Sequence, residues 1–361
     1  MNVRVWGRLD WWGSALALTG LGLAMQYSLA FSGSGQSPGF FWRQLLAVGL
    51  GLILAWYVSR QDFHVWALAH WWWYALSLLL LVAVLVFGHT LHGTKGWFSL
   101  GWLQFQPVEM VKVLVVLGTA RLVSGWTAGS PSWRQLLGSA LYVAGPFFLI
   151  AVQPDMGSGL LLWAVWATLV WLGGVTWRQV GVLAVGALGV AVVAWFLILR
   201  PYQKERVLVF FDPGRSPLSS GYQVRQAIIA VGSGSWLGKG LGRGTQTQLN
   251  FLPDARTDFI FSALAEELGL LGVGVLLALF GFFTRASFQV AGGPVNRAAA
   301  FSIGGLTALL IIQAGLNLAM NVGWSPVIGV PLPFLSYGGS SLLGSWLIVG
   351  VLQSFVRGRP A

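Results

Sequence analysis

Ten carboxylates are the whole acidic inventory of this 361-residue chain, so any acid or base chemistry must come from very few positions. Asp254 and Asp258 close a polar segment, residues 200–258, that also holds Glu205, Asp212, Arg200, Arg206, Lys239 and Arg243. Asp258 follows Thr257 and precedes the apolar run Phe259 to Leu264, so it is either a functional carboxylate or the N-cap of the next helix. Glu109 and Lys112, three residues apart, share one helical face and can neutralise each other. Helix-start preferences after Pro107 account for Glu109 alone, whereas Lys112 lies deeper and could hold an anionic head group. The glycine-rich stretch from Gly232 to Gly244 fits no phosphate-loop spacing. Its amides, with Lys239 and Arg243, could still cradle a phosphate, or the stretch is a cluster of turns. Asp155, in Gln153-Pro-Asp155-Met-Gly157, reads as turn and cap chemistry. The histidines show no metal-ligand spacing, with His89 and His92 a weak pair at best, and the absence of cysteine removes thiol nucleophiles and zinc-thiolate clusters.

The elements that must position these groups follow from composition. With 56% hydrophobic and 9% charged residues, the chain falls far below the roughly 25% charged fraction of soluble domains. Ten apolar runs have the length of a membrane helix, taken at about 20 residues: 13–31, 40–58, 66–87, 107–123, 136–152, 157–173, 180–199, 259–283, 299–320 and 341–356. An even number puts both termini on one side. Arg4, Arg8, Arg60, Arg121, Arg134, Arg178, Arg285, Arg297, Arg357 and Arg359 mark that side as cytoplasmic, while the short opposite loops hold only Arg43 and Lys95. The net charge of +11 therefore records topology, and nucleic acid drops out as a partner. The expected fold is an all-α polytopic membrane protein of ten transmembrane helices, a single domain over residues 1–361. Its one large extracytoplasmic loop, 200–258, lies between helices 7 and 8. Apart from Asp10 and Asp62, every carboxylate falls on or near the outer face, which points to work at the outer leaflet.

Taken in order, several segments resemble the SEDS family of cell-envelope membrane proteins, whose branches include RodA, FtsW and SpoVE. They are Gly93-Thr-Lys-Gly-Trp97, Gln106-Pro-Val-Glu-Met-Val-Lys112, Gln153-Pro-Asp155, Gly244-Thr-Gln-Thr-Gln248, Thr257-Asp-Phe-Ile-Phe261, Glu266-Glu-Leu-Gly269 and Pro331-Leu-Pro-Phe-Leu-Ser-Tyr-Gly-Gly-Ser-Ser341. The run from Gly329 to Gly339 and the short tails are most like the RodA branch. The chain departs from the family's common residues at Gly96, Val108 and Ala227.

The resemblance implies a peptidoglycan glycosyltransferase of the bacterial cytoplasmic (inner) membrane. It would polymerise lipid II into glycan strands for cell elongation and shape, with a class B penicillin-binding protein as its transpeptidase partner and other membrane proteins of the elongation complex around it. The family's essential aspartate matches Asp258, which becomes the general base on the acceptor sugar's 4-hydroxyl. Glu109, Lys112, Arg206 and Lys239 become the supporting set, the cations stabilising the diphosphate leaving group. A divalent cation could share that task, although the sequence shows no metal site. A lipid II transporter and a non-enzymatic scaffold are the alternatives; the scarcity of ionisable groups in the cytoplasmic halves of the spans favours the enzyme. Gly304, Gly305 and Gly315 on a late span would permit close approach of the partner's helix.

Overall fold

The computed structural model describes residues 3–31, 38–62, 66, 69–91, 93–101, 103–126, 130–212, 214, 220–293 and 296–357; His92 falls outside them. Within them the bundle begins with α1 (Val3–Phe31), α2 (Gly39–Val58), α3 (His70–Phe87), α4 (Val108–Ser124), α5 (Trp133–Val152), α6 (Met156–Leu172) and α7 (Trp177–Val193). A π-helical turn, Ala194–Ile198, extends α7. The outer segment holds α8 (Pro201–Phe211), α9 (Ser220–Ser233) and the short α10 (Thr245–Gln248), and the chain ends with α11 (Ile260–Ala291), α12 (Arg297–Asn321) and α13 (Gly339–Arg357). The apolar runs Val207–Phe211 and Ile228–Val231 of the outer segment lie in α8 and α9.

Among the described residues eight helices are long and apolar enough to cross a membrane. Of the ten expected spans, α4 and α6 are the two outside that set, each 17 residues long, and α4 carries Glu109, Lys112 and Arg121. Local sequence fixes several helix starts. Ser132 with Gln135 and Thr176 with Gln179 form capping boxes, and Asn296 and Asp155 accept from the third helical amide of α12 and α6. Asp155 is thus the cap it was expected to be. In the core α13 packs along α2, and α1 along α11.

Three features differ from what the sequence led us to expect. Between α3 and α4 the strands β1 (His89–Leu91), β2 (Thr94–Leu100) and β3 (Leu103–Phe105) form a small antiparallel sheet, joined by tight turns at Gly93 and Gly101, whose positive φ suits hairpins. The runs are too short to stand out beside the long apolar helices.

Second, α11 is broken at Gly269 (φ 64°, ψ −164°). The part after the break, Leu270–Ala291, rises about 33 Å and can cross the bilayer by itself. Ile260–Leu268 is therefore an outer arm, and the eighth span starts near Leu270 rather than Phe259. The break opens the helical bonds that would run from residues 270 and 271 to 266 and 267. The glycine-rich stretch replaces them. Lys239 and Gly240 amides donate to the Glu266 and Glu267 carbonyls at 3.0 and 2.9 Å, while Leu270 and Leu271 amides donate to the Ser235 and Trp236 carbonyls at 2.9 and 3.1 Å. Glycine is needed for this approach because a Cβ on Gly234 would fall on the Ala265 carbonyl oxygen. Backbone amides of the stretch thus bind α11, which answers the phosphate-cradle reading. Gly234→Ala should cost about 1–3 kcal/mol through this clash, read as a lowered Tm in detergent; an unchanged Tm would contradict the splice.

Third, two of the glycines expected on a partner-facing surface look inward. A Cβ on Gly305 would stand 2.9 Å from Val116 and one on Gly304 3.4 Å from Leu172, whereas Gly315 has nothing within 4 Å.

Candidate active site

Asp258 ends a turn whose backbone is held from three directions. Thr257 and Phe259 amides donate to the Asp254 carbonyl at 3.0 and 3.2 Å, with Asp254 itself at φ 51°. The carbonyls of Arg256, Thr257 and Asp258 each have a donor. Arg256 O accepts from Gln26 Nε2 of α1 at 3.0 Å and from the Tyr337 amide at 2.7 Å. Thr257 O accepts from Ser336 Oγ at 2.6 Å. Asp258 O accepts from Asn317 Nδ2 and Asn321 Nδ2 of α12 at 2.9 and 3.0 Å. The turn is therefore clamped to α1, α12 and the Pro331–Ser341 segment, as a preorganised catalytic group requires. The N-cap position of α11 belongs to Phe259, with no side-chain cap bond, one residue after Asp258.

The Asp258 side chain borders a cavity of about 1850 Å³, with Oδ2 3.5 Å from the point where a Cβ would stand on Gly329. One end of the cavity is polar, lined by Asp258, Asp254, Thr257, Arg206, Gln223, Arg43, Gln106 and Asp155. From there it continues into an apolar groove between α7 and the α5–α6 pair, walled by Leu137, Ala140, Trp163, Ala167, Leu183, Ala187 and Ala191. The groove stays open because α7 stands off from the bundle. Gln179 is the buried residue of α7, and its Nε2 tethers the start of the helix to the Pro131 carbonyl at 2.6 Å. At the other end α8 presents Tyr202, Gln203 and Arg206 to the cavity, positions that share one helical face.

Of the five residues singled out from sequence, the structure brings Asp258 and Arg206 to this cavity. Arg206 Nη1 donates to the Val327 carbonyl at 3.3 Å, which ties α8 to the loop after α12. The other three lie outside the lining. Lys112, 2% exposed, places Nζ 2.8 Å from Glu109 Oε1 and 3.2 Å from Gln313 Oε1. Gln313 Nε2 in turn donates to the Pro331 carbonyl at 2.9 Å, so the pair supports the wall of the site. Lys239 Nζ is 2.8 Å from both Glu266 Oε1 and Thr245 Oγ1, and it serves the same splice as its backbone. Both lysines were expected at a diphosphate; buried carboxylates bind them instead, since an unpaired ion there would be costly.

Two groups of residues escaped the sequence reading. Arg43 counted only as a loop charge, although it lines the cavity. Gln313, Asn317 and Asn321 form a polar stripe on α12, and Asn317 also donates to the Val330 carbonyl at 2.8 Å. Their signal was in the sequence: three amides at four-residue spacing in an otherwise apolar span mark one face with work to do. Among the described residues no three His, Asp or Glu side chains are placed to hold a metal ion.

Residues 10–359 match the family of FtsW, RodA and SpoVE, described as cell cycle proteins. The peptidoglycan glycosyltransferase MrdB of Escherichia coli (strain K12) is 36% identical over 324 residues, which cover 90% of this chain and 87% of MrdB. A solved peptidoglycan synthase complex, described for its structural coordination of polymerization and crosslinking, contains a chain that superposes with a TM-score of 0.82 at 32% identity, covering 96% of this chain and 97% of that one. The rod shape determining protein RodA of Thermus thermophilus superposes with a TM-score of 0.71 at 27% identity, over 97% of this chain and 96% of that one. Since the match runs nearly end to end and the fold agrees, the chain belongs to the FtsW/RodA/SpoVE family.

Proposed function

We infer that this chain is a peptidoglycan glycosyltransferase of the bacterial inner membrane, which polymerises lipid II at the outer face. The observation that carries the reading is the continuity of the cavity: a polar chamber with Asp258 and Arg206 opens directly into an apolar groove between α6 and α7. A substrate with a charged diphosphate sugar head and a long polyprenyl tail needs both halves at once. The acceptor 4-hydroxyl attacks the anomeric carbon of the donor strand, and Asp258 takes its proton. The bond from that carbon to the diphosphate breaks, and the diphosphate leaves with the electron pair beside Arg206 and Arg43. A divalent cation is proposed as a companion of the substrate's diphosphate, and no step depends on it.

Transport of lipid II would use the same groove, which reaches Trp171 and Val175 at its cytoplasmic end. That end is lined by apolar side chains, so it suits a tail and gives a charged head no path. Glu109 and Lys112 are proposed as supports of the Pro331 wall, and Lys239 as a support of the α11 splice. A class B penicillin-binding protein is the proposed partner, supported by the likeness to a chain of a peptidoglycan synthase complex.

Two variants test the two halves. Arg206→Ala should lower kcat for lipid II polymerisation by about a hundredfold, as removal of a preorganised charge-stabilising donor does. Ala187→Trp, which fills the groove, should raise KM for lipid II with a full-length prenyl chain and act less on a short-chain analogue. Equal effects on both chain lengths would remove the tail from the groove.

A further inference from the structure

Aspartate at a helix start ordinarily turns its side chain onto the first-turn amides of that helix. In this chain another helix does that work. Asn321 Oδ1, from the end of α12, accepts from the Ser262 amide at 3.1 Å and from the Ser262 hydroxyl at 2.6 Å. With Phe259 as the N-cap residue, Ser262 is the third helical position, whose amide is a usual target of a capping side chain. An amide N–H only donates, so this contact fixes which end of the Asn321 side chain carries the oxygen. Its other end, Nδ2, donates to the Asp258 carbonyl at 3.0 Å and to the Asn317 carbonyl at 2.8 Å. Asn317, one turn earlier, donates to the same Asp258 carbonyl at 2.9 Å. Both asparagines are fully buried, where an unmade hydrogen bond is expensive.

We propose that Asn321 is a positioning residue for Asp258: it caps α11 from α12, which keeps the Asp258 carboxylate in the cavity, and together with Asn317 it fixes the backbone from which that carboxylate projects. The proposal rests on the reading of Asp258 as the base. Without Asn321 the Ser262 amide loses this acceptor, and Asp258, just before the helix start, is the carboxylate placed to replace it. The carboxylate would then move from the acceptor sugar to the helix. Binding of lipid II, which depends on the groove, would be unaffected.

The test is lipid II polymerisation by purified Asn321→Leu and Asn317→Leu, with kcat and KM measured separately. Asn321→Leu should lose about a hundredfold in kcat, the effect of a displacement of about 1 Å at a reacting group, with KM unchanged. Asn317→Leu leaves the cap intact and should lose less, again in kcat alone. Hydrogen exchange should quicken in Asn321→Leu at residues 258–263 and not elsewhere in α11. A wild-type kcat in folded Asn321→Leu, or a rise in KM at constant kcat, overturns the proposal. Should Asn321→Leu fail to fold, Asn321→Asp replaces it: it keeps an accepting oxygen for Ser262 and, protonated by burial, a donor for the Asp258 carbonyl. Asn321→Asp should then outperform Asn317→Leu, and the reverse order overturns the capping role. An inactive Asp258→Asn beside a fully active Asn321→Leu would end this proposal alone, whereas an active Asp258→Asn would end the reading beneath it.

Discussion

Asp258→Asn is expected to lower lipid II polymerisation by at least about 10²–10⁴-fold, the usual contribution of a general base, while leaving the protein folded. The reason lies in how the turn is built. The bonds that hold residues 254–258 use backbone carbonyls, supplied with donors by Gln26, Ser336, Asn317, Asn321 and the Tyr337 amide. The capping bond of α11 comes from Asn321. Exchange of the carboxylate for an amide therefore removes the base and spares this scaffold. Tm in detergent and gel-resolved glycan products from the same preparation measure the two effects. Near-normal polymer from a folded Asp258→Asn protein would show that the carboxylate does no proton transfer.

The second large effect concerns the buried pair of α4. Lys112→Met leaves the Glu109 carboxylate without its cation in an environment where both are almost fully buried, and should destabilise the protein by about 3–5 kcal/mol. Glu109→Gln combined with Lys112→Met removes both charges and should recover much of that loss. Because neither residue lines the cavity, the double variant should also polymerise lipid II at a rate set by how well the Pro331 wall is kept. Thermal unfolding of the two single variants and the double, with activity at matched folded protein, decides the matter. A stable but inactive double variant would mean that Lys112 touches substrate.

Hydropathy and loop charge made the membrane helices legible, because a lipid environment demands long apolar runs whatever the fold above them. The position of Asp258 at the end of the polar segment was also legible, and the structure puts it on the cavity wall. What sequence could not show was the partner of each cation. Lys239 is 27 residues from Glu266, and Lys112 is 201 residues from Gln313, so both pairings exist only in three dimensions. Counting Lys239 among the substrate's cations followed from its place in the outer segment's glycine-rich stretch. Arg43 was missed for the complementary reason: a lone loop arginine looks like topology until α2 is seen to bring it to the same chamber as Arg206. The break in α11 was hidden as well, since Gly269 lies within a stretch long enough to read as one span, and only the docking of residues 235–240 reveals why glycine is there.

The central claim is that one continuous cavity binds the prenyl tail and presents the sugar head to Asp258. It is tested most directly by incubating the purified protein with lipid II, alone and with a class B penicillin-binding protein, and resolving the products. The account predicts glycan strands and released undecaprenyl diphosphate from the wild-type chain, more of both with the partner present, and neither from Asp258→Asn under either condition. No polymer from the wild-type complex, or equal polymer from wild type and Asp258→Asn, would contradict it.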